Sequence, residues 1–194
     1  MSRKVKITRK TSETEVVLEL NLDGAGNVAV RSGIGFFDHL LTLMAFHARM
    51  DLTLSARGDL HVDDHHTVED VGICLGRALD QALGDRSGIS RYGFFLLPMD
   101  EVLARAVLDL SGRAWLRYQA EFGRPVIGSL ATENLEEFFR ALVREARCTL
   151  HLEILTPGSE HHQAEALFKA FGRALRQALS LTGQGVPSTK GKLE

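Results

Sequence analysis

The chain has 194 residues, 44% of them hydrophobic and 25% charged, the balance of a folded domain and not of a disordered segment. Lys and Arg total 23 against 25 Asp and Glu, a formal charge of −2. That charge argues against bulk binding to nucleic acid or to a membrane surface, but a few local cations still suffice to hold a small anion. The longest apolar stretch, around residues 40–46, falls far short of the ~18 residues that span a bilayer. The basic start, MSRKVKITRK, is followed by no apolar segment of a signal peptide. Cys74 and Cys148 sit among aliphatic residues and outside any CxxC pair, so they read as buried thiols of a reducing compartment, and a cytoplasmic chain is expected.

In chain order, residues 15–30 (EVVLELNLDGAGNVAV) read as two strands closed by a glycine turn. A helical stretch follows at 36–50 and a strand at 51–56. Residues 65–83 then place Val68, Val71, Leu75, Leu79 and Ala82 at helical spacing, with Asp63 or Asp64 as the expected cap. After a linker at 84–90 the order recurs: a strand pair at 103–122, a helix at 133–146 and a strand at 148–155. The last helix, 161–179, carries Leu167, Phe171, Leu175 and Ala178 on one face and has Ser159 as its expected cap. Each half therefore reads β-β-α-β-α. The tail, GQGVPSTKGKLE, has no apolar period and by itself reads as a solvated end.

The two final helices are copies. HHTVEDVGICLGRALDQAL (65–83) and HHQAEALFKAFGRALRQAL (161–179) lie 96 residues apart, align without a gap and agree at 10 of 19 positions. The expected class is α+β: an internal duplication of a β-sheet plus two-helix unit, with the helices packed between the two sheets. Residues 1–88 form the first repeat, and residues 89–194 the second repeat with the tail.

Each copy opens with HHxxE. On a helix, residues i, i+3 and i+4 share a face, so Glu69 follows His65 and His66 by one turn, and Glu165 follows His161 and His162 likewise. Imidazole with carboxylate suits divalent Mn, Fe, Co, Ni or Zn. One such motif is weak, but two at matched positions of a duplication point to metal binding. Adjacent residues on a helix project about 100° apart, so the two histidines of a pair serve different ions. Those ions draw their ligands from both halves or from two subunits.

The chain resembles the imidazoleglycerol-phosphate dehydratases of histidine biosynthesis over nearly its whole length. The resemblance is carried by RKTSET (9–14), FFDHLL (36–41), GDLHVDDHHTVEDVGICLG (58–76), SGISRYG (87–93), PMDE (98–101), LDLSGR (108–113), HHQAEALFKAFGRAL (161–175) and PSTKG (187–191). It implies the metal-dependent dehydration of imidazole glycerol phosphate to imidazole acetol phosphate by a hydro-lyase. Two divalent ions per active site, manganese, are implied with it. So is a homo-oligomer, a 24-subunit shell built from trimers with active sites at subunit interfaces.

The implied metal ligands are His39, His65, His66, Glu69, His161, His162 and Glu165. An eighth ligand is a histidine in the family and falls on Glu137 in NLEEFFRAL; His151 is the alternative. Repeat symmetry favours Glu137, which precedes its HH pair by 24 residues, as His39 precedes its own by 26. His151 and His61 are then left to structural or supporting roles. Glu13 and His47 are the acid/base candidates and also match substrate-contacting positions. Arg91, Arg113, Lys169, Ser188 and Lys190 match positions that hold substrate or its phosphate. Two other readings stay open at this point. A dinuclear phosphate-ester hydrolase would release inorganic phosphate. A metal-storage shell would take up far more than two ions per chain and gives no reason for the phosphate set.

Overall fold

The computed structural model describes residues 3–191 and residue 193. The first repeat supplies β1 (Lys4–Lys10), β2 (Thr14–Asn21), β3 (Val28–Arg31), α1 (Gly35–Ala48), β4 (Asp51–Gly58) and α2 (His65–Leu83). The second supplies β5 (Tyr92–Met99), β6 (Val102–Asp109), β7 (Trp115–Gln119), a small hairpin of β8 (Val126–Ile127) and β9 (Leu130–Ala131), then α3 (Glu133–Ala146), β10 (Thr149–Thr156) and α4 (Glu160–Leu179). The sheet orders are β1-β2-β4-β3 and β5-β6-β10-β7, the same topology twice. Each half is thus β-β-β-α-β-α, with one strand more than the sequence suggests, and the second half also carries the small β8–β9 hairpin before α3.

The expected glycine-turn hairpins do not form. β4 lies between β2 and β3, antiparallel to the first and parallel to the second, and β10 stands in the same relation to β6 and β7. The β2–β3 connection crosses the start of β4, where Asp51 Oδ1 accepts the backbone N–H groups of Ala25 and Asn27, both at 2.9 Å. Its polar backbone is therefore satisfied without pairing β2 to β3. The true hairpins use the outer strands, β1 with β2 and β5 with β6.

Register follows from the alternation of inward apolar residues, because a slip of one would turn the whole set outward. Val16, Leu18 and Leu20 of β2 and Leu52, Leu54 and Ala56 of β4 face the helices. On the outer side of the first sheet Lys6 bonds Glu19 at 2.8 Å, directly across the ladder. The second sheet instead exposes Tyr92, Phe94, Leu96 and Val107.

The helices form a layer between the sheets. α2 lies on β1, β2 and β4 and packs against α3; α4 lies on β5, β6 and β10 and packs against α1. Each helix pair thus joins one repeat to the other. Glycine makes this close approach possible. A Cβ on Gly76 would stand 2.5 Å from the Leu142 carbonyl oxygen, and one on Gly172 2.4 Å from that of Met44. These two glycines occupy the same place in the copied helices. Phe37, Phe138, Phe139, Phe168 and Phe171 fill the centre, and one continuous core spans both repeats. Burial pushes the Cys148 thiol up to about 12 and the Cys74 thiol to about 11.

Of the two caps expected for α2 one forms, and the one expected for α4 does not. Asp63, not Asp64, accepts the His65 N–H, at 2.9 Å. Asp64 is drawn instead to the Ala131 N–H beside the inserted hairpin, at 2.8 Å. Ser159 occupies the N-cap of α4 without a side-chain bond to the helix. No helix among the described residues is long and apolar enough to cross a membrane.

Candidate metal centres

The α1–α4 packing carries His39 of the first repeat onto the HHxxE face of the second. His39 Nε2 lies 2.6 Å from Glu165 Oε1, and His161 Nε2 lies 3.0 Å from the same oxygen. One ligand atom from each of the three residues falls within 4.8 Å of the others. Phe36 packs beside both imidazole rings. Lys169, one turn along α4, donates to Glu165 Oε2 at 2.6 Å. Burial opposes ionisation of Glu165, but the bonds from Lys169 and His39 outweigh it and hold the carboxyl down to about 2. The carboxylate is therefore charged, with Oε2 tied to Lys169 and Oε1 turned to the imidazoles.

The α2–α3 packing builds the counterpart. His65 and Glu137 line one cavity of about 530 Å³ together with Asn134, Glu133, Glu136 and Tyr118. Here the groups do not converge on one atom. His65 Nδ1 lies 3.0 Å from Asn134 Oδ1, which leaves Nε2 as the open nitrogen. Glu69 stands 3.7 Å from Arg144, and Glu137 accepts from Arg140 at 3.1 Å. His151 is elsewhere, exposed on β10 opposite Val107 and Arg117.

The rings of His66 and His162 stand nearly perpendicular to those of His65 and His161, at 78° and 81°, and find other partners. His66 Nδ1 meets Asp59 Oδ2 at 3.0 Å, with Glu13 Oε2 at 4.0 Å. His162 Nδ1 meets Glu101 Oε2 at 3.1 Å, with Asp100 at 4.0 Å. The Asp59 hydrogen bond holds the His66 pKa above its ordinary value. Glu101 is held down to about 2 by the backbone N–H of Ser159, by its own N–H and by His162.

The acid/base candidates fall into separate groups. Glu13 is exposed beside His66. His47, two turns along α1 from His39, is partly buried, and its pKa is lowered first by burial and then by the charges of Lys169 and Arg173. That lowering favours the neutral imidazole, the form that accepts a proton.

Four of the five phosphate candidates gather. Arg91, Arg113, Ser188 and Lys190 line a cavity of about 940 Å³ with Tyr92, Pro187 and Thr189. Asp109 holds Arg91 through both carboxylate oxygens, at 2.7 and 3.1 Å, and Arg91 Nη1 donates to the Pro187 carbonyl at 2.9 Å. Pro187 of the tail is thereby tied to Arg91 at the edge of the cavity. Lys169 is the exception, since it belongs to the Glu165 cluster. Sequence reading gave no role to Asp59, Glu101 or Asn134, each of which orients a histidine. The available signal was position: Glu101 occupies the first hairpin turn of its repeat, as Glu13 does in the other.

Fold and site together define a duplicated α+β protein whose histidine–carboxylate clusters each draw on both repeats. Residues 32–175 match the family model described as imidazoleglycerol-phosphate dehydratase. A protein of that name from Streptococcus mutans is 56% identical over 193 residues, covering 98% of this chain and 100% of its own length. One from an Exiguobacterium species is 53% identical over 193 residues, covering 99% of each. The crystal structure of the Staphylococcus aureus imidazoleglycerol-phosphate dehydratase matches with a TM-score of 0.84 at 40% identity, covering 92% of this chain and 99% of that one. The chain belongs to the imidazoleglycerol-phosphate dehydratase family, the hydro-lyases of histidine biosynthesis.

Proposed function

We propose that this chain dehydrates imidazole glycerol phosphate to imidazole acetol phosphate with the help of two divalent ions per active site, manganese, in the cytoplasm. The observation that carries the metal reading is the convergence of His39, His161 and Glu165, with ligand atoms within 4.8 Å of one another. Two imidazole nitrogens and one ionised carboxylate oxygen form a donor set that fits manganese. His65, Glu69 and Glu137 offer the second set, and His66 and His162 supply further nitrogens. When bound, such ions supply Lewis acidity and a template for the substrate's imidazole.

The chain's own residues supply the rest. Lys169 occupies one oxygen of Glu165 and so fixes which oxygen faces the ligands. The reaction removes hydroxide from one carbon and a weakly acidic C–H proton from its neighbour. His47 and Glu13 are the residues proposed to move protons, since the first is kept neutral by its surroundings and the second is an exposed carboxylate. Arg91, Arg113, Ser188 and Lys190 hold the phosphate. The Asp109 fork fixes the Arg91 guanidinium, so little rotamer freedom is lost on binding.

His66 and His162 pair with Asp59 and Glu101 and stay outside the clusters that join the repeats, which supports sites completed by a second copy. The exposed apolar face of Tyr92, Phe94, Leu96 and Val107 supports a homo-oligomer in the same way. The proposed assembly is a 24-subunit shell built from trimers.

The test is a direct assay for imidazole acetol phosphate, on protein stripped by chelation and then resupplied with Mn. Turnover should vanish on chelation and return with Mn, with phosphate retained in the product. Full activity without metal would sink the metal reading, and release of inorganic phosphate would favour the hydrolase.

A further inference from the structure

The two repeats place a glutamate at the same point, the turn of the first hairpin. Glu13 lies between β1 and β2, and Glu101 between β5 and β6. They have not kept the same work. In the first repeat Asp59, just beyond β4, takes His66 Nδ1 at 3.0 Å, and Glu13 stands off at 4.0 Å. In the second repeat the turn glutamate itself takes His162 Nδ1, at 3.1 and 3.2 Å through its two oxygens.

Glu101 is also anchored from behind. Its Oε1 accepts the Ser159 N–H at the start of α4, at 2.6 Å. Gly158 leaves room for it, since a Cβ there would stand 2.3 Å from Glu101 Cγ. An ionised carboxylate only accepts, so a nitrogen that bonds to it carries the hydrogen. The other ring nitrogen is then left with its lone pair.

We infer that Glu101 and Asp59 are positioning residues. They hold His162 and His66 as Nδ1–H tautomers and aim each free Nε2 at a divalent ion. The inference rests on the metal reading above and adds to it the residues that set ligand tautomer and aim. Partners of this kind, when removed, weaken metal binding by roughly 10–100-fold.

Glu101→Gln provides a sharp test. The amide oxygen is drawn to the Ser159 N–H, and the NH2 group then faces Nδ1 as a donor. Nδ1 must accept, so the ring hydrogen moves to Nε2. Nitrogen-15 NMR of the metal-free protein should show this tautomer change at His162. Mn titration should show binding weakened by roughly 10–100-fold at an unchanged melting temperature. Asp59→Ala is the second variant, in a loop away from the α4 terminus, and should weaken Mn binding to a similar extent.

An unchanged His162 tautomer in Glu101→Gln, or wild-type Mn affinity in both variants, overturns the inference. If the wild-type protein itself binds no Mn, the metal reading fails instead, and the NMR result still decides whether Glu101 sets the tautomer.

Discussion

The two clusters that join the repeats are built by the same packing, yet only one converges. Around Glu165, whose side chain is 8% exposed, two imidazoles and a lysine close on one carboxylate. Its counterpart Glu69 is 34% exposed and turns toward Arg144. The cation that serves the first cluster comes from α4 and occupies the oxygen the imidazoles do not use. The cations near the second, Arg140 and Arg144, come from α3 and engage the would-be ligands themselves. Duplication thus preserved the backbone scaffold while the charge around each ligand set diverged. On the proposed metal reading the closed cluster is preorganised, whereas the open one would have to shed its arginine contacts to close on an ion.

The largest expected effect comes from breaking the closed cluster. Glu165→Ala removes the shared carboxylate and leaves Lys169 without its partner, so Mn content after dialysis and turnover should both be lost. Retention of both would show that convergence here is not a ligand set.

Gly172→Ala attacks the packing that delivers His39. Overpacking at a backbone contact should cost about 1–3 kcal/mol, read as a melting temperature lower by several degrees. Gly76→Ala should cost a similar amount at the other joint, and a large difference between the two would show that the joints are not equivalent.

The smallest effects sharpen the open cluster. Glu137→Ala should weaken Mn binding there and Glu137→His should keep it, while His151→Ala should leave it at the wild-type value in the same titration. Loss on His151→Ala would return the eighth ligand to the strand.

The four helices were legible to within about two residues at each end, because their apolar faces repeat with a clear period and two of them are copies. The outer strands were harder. β1 reads KVKITRK, in which the alternation of Val5 and Ile7 with lysines is short and breaks at Arg9. β5 reads YGFFLLPM, a run with no polar alternation and a proline near its end. The insertion of β4 between β2 and β3 is a long-range pairing that no local pattern announces. At the site, HHxxE pointed to His161 and Glu165, which the structure brings together with His39. Asp59, Glu101 and Asn134 were not legible, because each acts through a contact between residues at least seven positions apart in sequence.

The cross-repeat pairing of α2 with α3 and of α4 with α1 has a consequence for descent. A half-length ancestor with a single repeat would have carried a bare helical face and an unfinished set of ligands. It would have had to meet its own twin to bury the one and finish the other. Gene fusion would then have turned an encounter between two molecules into a fixture of one, freeing each half to change its charges separately.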